Sequence, residues 1–188
     1  MKEKDFLEFA KIMGKLKRTP RTGWKMRKVK NPESVADHIF RTTLLGMLLS
    51  DLEKLNTEKI IRMLLLHDIQ ESLTRDISSI KKEKDIKKFK KIEENAMKKV
   101  LLILPKEIRR KYFSLWKEKE KGKTKEAKLC EDIDRLEMMI QALEYEKEQP
   151  NKKKNLEVYW LKENLDKPKN YPLLIKLYEK LKKERGTK

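Results

Sequence analysis

An all-α fold is what this sequence predicts, and three observations carry the prediction. Leu, Ile, Met and Val recur at helical spacing in successive blocks, and no stretch alternates apolar and polar residues with period two over a useful length. With five Gly and six Pro in 188 residues there is little turn material, which favours long helices and short connections. Although only 38% of residues are apolar and 43% are charged, the apolar ones are clustered, so a packed chain is expected rather than a disordered one. The length suits one domain, 1–188, with a helical core over about 6–146 and a C-terminal helical extension over about 151–188. No internal repeat is visible.

The elements follow in order. Phe6, Phe9, Ile12, Met13 and Leu16 define an amphipathic helix from Asp5 to Lys17, closed by Arg18-Thr19-Pro20. A polar connection runs from Arg21-Thr22-Gly23-Trp24 to Asn31-Pro32. Ser34 with Asp37 three residues on resembles a capping box and starts a helix to Leu52. That helix is apolar over much of its circumference, which predicts a central, buried position. Thr57 opens a helix from Ile60 to about Leu73, and a charged helix follows over about Glu83 to Leu104. Pro105 precedes a helix with Ile108, Tyr112, Leu115 and Trp116, and Thr124 begins a long one to about Glu148. Tyr159-Trp160 and Tyr171 to Lys183 supply the closing segments.

The net charge is +18. It attracts phosphate-bearing partners in general. Lys and Glu are nonetheless interspersed, as in Lys81-Lys82-Glu83-Lys84-Asp85, and no arginine-rich arm or aromatic-interleaved basic stripe appears, so a dedicated nucleic-acid surface is the weaker reading. Cys130 stands alone, which rules out an internal disulfide and fits a reducing compartment. The apolar runs at Leu44–Leu49 and Met63–Leu66 are too short to span a bilayer, and no signal-peptide pattern opens the chain. A soluble cytoplasmic protein is expected.

Both histidines of the chain fall in one pattern: His38 alone, then His67 followed at once by Asp68. An isolated His, a His-Asp doublet and a later Asp is the ligand order of a mixed nitrogen and oxygen site for a divalent metal that activates water. Taken alone, His38 among Val35, Ile39 and Phe40 reads more readily as a hydrogen-bonded core histidine than as a ligand. Asp68 beside the apolar Met63-Leu64-Leu65-Leu66 is costly to bury without a cation or donors. Glu71, at i+4 from His67 and i+3 from Asp68, can share their helix face, and Asp76 lies just beyond.

Glu33-Ser34-Val35-Ala36-Asp37-His38, followed by His67-Asp68-Ile69-Gln70-Glu71 and Asp76-Ile77, resembles the HD-domain phosphohydrolases. Within them it is similar to the 5′-deoxynucleotidase branch. Arg21-Thr22-Gly23-Trp24, Leu115-Trp116 and the run from Asp134-Arg135-Leu136-Glu137-Met138 to Gln141-Ala142-Leu143-Glu144-Tyr145 carry that closer likeness, which spans about Phe6 to Glu146. The resemblance implies a single HD-domain bundle of about six to eight helices. It implies one divalent metal, manganese- or cobalt-like, on His38, His67, Asp68 and Asp134, in a site left neutral once M²⁺ binds. Glu71 would orient or deprotonate the water and Asp76 would act near the sugar or leaving oxygen. Arg21 offers a planar fork to phosphate, and Trp24 either walls the nucleoside pocket or anchors its loop. The implied reaction is release of phosphate from deoxyribonucleoside 5′-monophosphates by a homodimer.

Two rivals remain: an HD hydrolase of a cyclic nucleotide or guanosine tetraphosphate, and a non-catalytic basic module on the same scaffold that binds nucleic acid or protein. Ser72 after Glu71 departs from the His-Asp-x-x-Glu-Asp pattern of the alarmone hydrolases. Periodicity leaves Asp132 and Asp134 both open as fourth ligand, since they lie about 200° apart around a helix. The resemblance selects Asp134 and leaves Asp132 as a surface acid paired with a lysine.

Overall fold

The computed structural model describes residues 1–77, 85–161 and 171–186, and among them it has helices and no strands. The α-helices are α1 (Glu3–Met13), α2 (Thr22–Met26), α3 (Val35–Leu52), α4 (Thr57–Leu66), α5 (Glu71–Thr74), α6 (Ile86–Leu101), α7 (Lys106–Lys121), α8 (Lys125–Glu148), α9 (Lys153–Leu156) and α10 (Pro172–Arg185). Single 3-10 turns occupy Leu16–Arg18, Pro150–Lys152 and Glu157–Trp160. The all-α expectation is met.

Local chemistry explains most boundaries. The Ser34 hydroxyl accepts from the Asp37 amide at 3.2 Å, while the Asp37 carboxylate accepts from the Ser34 amide at 2.9 Å, so the capping box is complete. Asn56 and Thr124 cap α4 and α8 in the same sense, through the amides of Lys59 and Ala127. The first helix stops at Met13 instead of Lys17, with Gly14 at its end. The stretch expected as a polar connection holds the short helix α2, built around a buried Trp24. The helix expected to run to Leu73 ends at Leu66 and resumes as α5. The start expected at Glu83 lies outside the described residues, and α6 ends at Leu101.

The centre of the bundle is α3, α4 and α8. At Gly46 a β-carbon would overlap Leu64 Cδ1, so a larger residue there would require the buried Leu64 side chain to move. One apolar cluster joins Leu49 of α3 and Ile60, Met63 and Leu64 of α4 to Ile133, Leu136 and Met139 of α8. A second joins Val35 and Ile39 of α3 and Leu66 to Met97, Leu101 and Trp116. Each such fully buried side chain stabilises the fold by about 1.5–3 kcal/mol relative to exposure. The C-terminal extension belongs to the first cluster, through Leu156, Trp160, Leu174 and Tyr178. Arg185 secures it by donating to both oxygens of Glu146 at 3.0 Å and to Glu157 at 2.6 Å.

One expectation about α3 is corrected. Val35, His38, Ile39, Thr42, Gly46 and Leu49 are buried, but the opposite side of the helix is not. Phe40 is 69% exposed, and Leu44, Met47, Leu48 and Leu52 are exposed along the same stripe. Helical spacing explains it: positions 40, 44, 47, 48 and 52 follow a second apolar face that no element among the described residues covers.

Candidate active site and metal centre

The two histidines arrive from different elements and meet ring to ring. His38 lies in the first turn of α3, fully buried, and His67 is the residue that ends α4, 1% exposed. Their Nε2 atoms are 3.2 Å apart. His67 Nδ1 is 2.6 Å from the Leu64 carbonyl oxygen, which can only accept, so Nδ1 carries the hydrogen and Nε2 presents a lone pair. His38 Nδ1 is 2.6 Å from Glu137, whose carboxylate sets the same tautomer. Two lone pairs thus face each other with carboxylates at their sides. Asp134 Oδ1 is 3.2 Å from His38 Nε2, and Asp68 Oδ2 is 3.2 Å from His67 Nε2 and 3.8 Å from His38 Nε2.

Such a cluster demands a positive charge at its centre. Burial and Arg21 oppose charging His38, but hydrogen bonds to Asp134 and Glu137 outweigh them and push its pKa up to about 9. Burial would raise the carboxyls of Asp134 and Asp68, yet the imidazoles beside them hold both well below the usual carboxylate range. One ligand atom each from His38, His67 and Asp134 fits within 4.8 Å. Two neutral imidazoles and carboxylate oxygens are the donor set of a divalent first-row ion, which takes the place of the proton. These residues fit the metal.

A second layer holds the first. Glu137 is completely buried, bonded to His38 on one oxygen and to Arg41 Nε at 2.9 Å on the other. Burial alone would raise its pKa, but His38 and Arg41 lower it, so it stays ionised. Arg41 continues to Gln141 and Glu144 on the next turn of α8. Glu33, His38 and Glu137 also lie within 4.8 Å of one another. That group orients rather than ligates, because Glu33 accepts from Trp24 Nε1 at 2.8 Å while Arg41 holds Glu137. On the other side, Trp116 Nε1 donates to the His67 carbonyl oxygen at 3.2 Å. With the Leu64 and His67 carbonyls both taken by side chains, the chain turns at residues 67–70 and Glu71 comes from a new helix.

Above the imidazoles lies a cavity of about 270 Å³ lined by Arg21, Asp68, Glu71, Asp76, Asp134 and Lys119, among others. Arg21 Nη1 donates to Asp68 Oδ2 at 3.3 Å. Burial opposes its charge, but Asp68, Asp76, Asp134 and Glu71 raise its pKa further, so it is a permanent cation here. Glu71, 2% exposed, opens α5 at the cavity wall. Asp76 follows Arg75, and its carboxylate accepts from the Thr22 amide while its carbonyl accepts from the Thr22 hydroxyl at 2.7 Å. Trp24 is 1% exposed, packed edge-on to Tyr145 at 5.3 Å and tilted against Tyr159 at 4.3 Å. A β-carbon at Gly23 would meet the Tyr159 hydroxyl at 2.8 Å, which explains the glycine of Arg-Thr-Gly-Trp.

All eight residues singled out in the sequence thus gather at this cavity or directly beneath it. Four that matter were not assigned. Glu137 lies in the Asp134–Met138 run of the family resemblance without a role of its own, and Arg41 gave no signal beyond helical spacing from His38. Lys119 lies 3.9 Å from Asp134 Oδ2; burial opposes its charge, but Glu120, Asp134 and Asp68 raise its pKa. Tyr159 comes from the extension, which the sequence left unread. Asp132 is a correction: it is 5% exposed rather than a surface acid, and its near cation is Arg135 at 3.9 Å, not a lysine. Burial pushes its carboxyl up to about 6.

A two-histidine, two-carboxylate cluster at the centre of a helical bundle defines a class of metal-binding helical protein, and comparison with known proteins gives the family. The HD domain profile matches residues 13–169, and the chain belongs to the HD-domain family. Members of that family bind a divalent metal, and the cluster here suits one. The 5′-deoxynucleotidase HDDC2 of Homo sapiens is 35% identical over 98% of this chain and 88% of its own length. The protein of the same name from Dictyostelium discoideum is 42% identical over 80% of this chain and 82% of its own. The crystal structure of PH0347 protein from Pyrococcus horikoshii OT3 superposes with a TM-score of 0.77 at 31% identity, covering 96% of this chain and 98% of that one.

Proposed function

We infer that the protein is a metal-dependent 5′-deoxynucleotidase, a phosphoric monoester hydrolase that releases phosphate from deoxyribonucleoside 5′-monophosphates. The observation that carries this reading is the pair of apposed Nε2 atoms flanked by Asp68 and Asp134 beneath a cavity with Arg21 at its rim. Relatives named 5′-deoxynucleotidase that align over most of the chain support the substrate class. His38, His67, Asp68 and Asp134 would hold the ion, manganese- or cobalt-like by resemblance. When bound, the ion lowers the pKa of a water toward neutrality and offsets charge on the phosphoryl group.

The remaining work falls to side chains of this chain. Arg21 offers its free guanidinium nitrogens to a phosphate oxygen, and Lys119 adds a second cation from the α7 side. Glu71, a carboxylate at the cavity wall, orients the attacking water and takes its proton. Asp76, fixed by Thr22, faces the sugar or its leaving oxygen. Trp24 supports the nucleoside wall from behind Tyr159.

Three further readings belong with this one. The exposed stripe of Phe40, Leu44, Met47, Leu48 and Leu52 supports a homodimer closed through α3. The shared apolar cluster supports a single HD domain over 1–188 that includes the extension. The lone cysteine supports a reducing, cytoplasmic setting.

The test is phosphate release by metal-stripped protein reloaded with manganese, cobalt, magnesium or zinc singly. Deoxyribonucleoside 5′-monophosphates should turn over faster than ribonucleotides, cyclic nucleotides or guanosine tetraphosphate. Equal or better turnover of another class would replace this substrate assignment. Binding of RNA with steep salt dependence and no turnover of any nucleotide would favour the non-catalytic module.

A further inference from the structure

A second concavity, of about 770 Å³, adjoins the reaction cavity and shares Asp76 and Ile77 with it. Four cations from three parts of the chain line it: Lys15 and Arg18 after α1, Lys25 on α2, and Arg75 after α5. Asp76 is the one carboxylate among its described lining residues, and that group is already engaged by Thr22.

Some lysines of the basic surface are neutralised by acids: Lys59 by Glu118 at 2.6 Å, and Lys98 and Lys117 by Glu94 at 2.7 Å each. Lys15, Arg18, Lys25 and Arg75 have no carboxylate partner among the described residues. Like charges gathered in a concavity repel one another, and low-dielectric walls focus their field on whatever enters. Arg75 is held there at φ 62°, ψ 171°, a conformation costly for a residue with a β-carbon. Its amide donates to the Glu71 carbonyl oxygen at 2.8 Å, and the next residue, Asp76, lines both cavities.

We propose that this groove is a second anion site, distinct from the reaction cavity, that binds a chain of consecutive phosphates. One phosphate is satisfied by one or two cations, whereas four converging cations match the charge of a triphosphate. Such a chain comes from a nucleoside triphosphate or from inorganic polyphosphate. A ligand seated there lies against Thr22, whose amide and hydroxyl fix Asp76, so occupancy of the groove is felt at the wall of the reaction cavity.

The test is calorimetric titration of the full-length, metal-loaded protein with sodium tripolyphosphate, dATP and inorganic phosphate. Millimolar magnesium keeps the polyphosphate from stripping the site. Tripolyphosphate and dATP should each bind once, at least about tenfold more tightly than phosphate, and more weakly as salt rises. A tighter dATP would mean that the nucleoside adds contacts, and equal affinities that the phosphate chain alone is read; both agree with the proposal. The double variant Lys25→Gln/Arg75→Gln should weaken binding about tenfold or more, Arg18→Gln by a smaller factor, and Arg21→Gln hardly at all. Arg18, Lys25 and Arg75 are exposed, whereas Arg21 is partly buried against Asp68, so circular dichroism checks the folding of every variant. Loss in Arg21→Gln with none in the double variant would assign the binding to the reaction cavity and overturn the proposal. Tighter binding of a short single-stranded oligonucleotide without terminal phosphates would overturn it in favour of nucleic acid. The readout is binding, so its failure is separate from any failure of the nucleotidase reading.

Discussion

The two halves of the candidate metal centre are built on opposite principles. His38, in the first turn of α3, and Asp134, within α8, project from long, uninterrupted helices, and a network of Glu137, Arg41, Gln141 and Glu144 fixes that half. His67 and Asp68 stand where α4 ends, and that half is held by single bonds between side chain and backbone, His67 to the Leu64 carbonyl and Trp116 to the His67 carbonyl. The difference separates two jobs. The helical half, braced by side-chain bonds across two helices, would set where an ion sits. The broken half trades helical bonds for a turn that carries His67 and Asp68 and lets Glu71 open a new helix.

If the helical half sets the ion's position, its ligand should be the most sensitive residue. Asp134→Asn is expected to weaken metal binding strongly and nearly abolish turnover, whereas Asp132→Asn, two residues along the same helix, should leave both close to normal. Metal content by inductively coupled plasma spectrometry and phosphate release would check this, and the reverse ranking in equally folded proteins would move the site to the other face of α8.

Glu137→Gln tests the network behind it. An amide can donate to His38 Nδ1, which would move the ring hydrogen to Nε2 and turn a ligand atom into a donor. Metal affinity should fall about 10–100-fold, with stability lost as well because Arg41 loses a buried partner. Unchanged affinity would mean that His38 keeps its tautomer without the carboxylate.

Trp116→Phe removes one donor from the broken half while keeping the ring. The expected cost is about 1 kcal/mol of stability and a smaller loss of metal affinity than in Glu137→Gln. A larger loss would show that the turn, not the helical seam, controls the site.

The smallest effect belongs to a surface ion-pair cluster outside the metal centre. Glu94 bridges Lys98 and Lys117, and hydrogen bonds from Lys117 and Lys98 depress its pKa to about 2. Its folded pKa lies below the ordinary carboxylate value, so its stabilisation is present above about pH 4.5 and is lost as pH falls toward 2. Glu94→Gln should cost less than about 1 kcal/mol at pH 7, and the difference from the parent should vanish on acidification in a thermal melt.

Sequence by itself determined the helices and the ingredients of the site, because both are written locally. Helical periodicity, the Ser34/Asp37 box and the Thr124 cap depend on residues within one turn. The His, His-Asp and Asp order, read with the HD-domain resemblance, named residues that the fold brings together. Only tertiary structure decided the rest. The helix break at His67 depends on Trp116, 49 residues away, and Glu137 acquires its role through His38, 99 residues away. Asp132 turned out buried, because Tyr178 and the rest of α10 cover that side of α8. The outer face of α3 remained exposed, since periodicity registers that a face is apolar but not whether this chain supplies something to cover it. Contacts between distant segments leave no mark in local spacing, and these were all contacts of that kind.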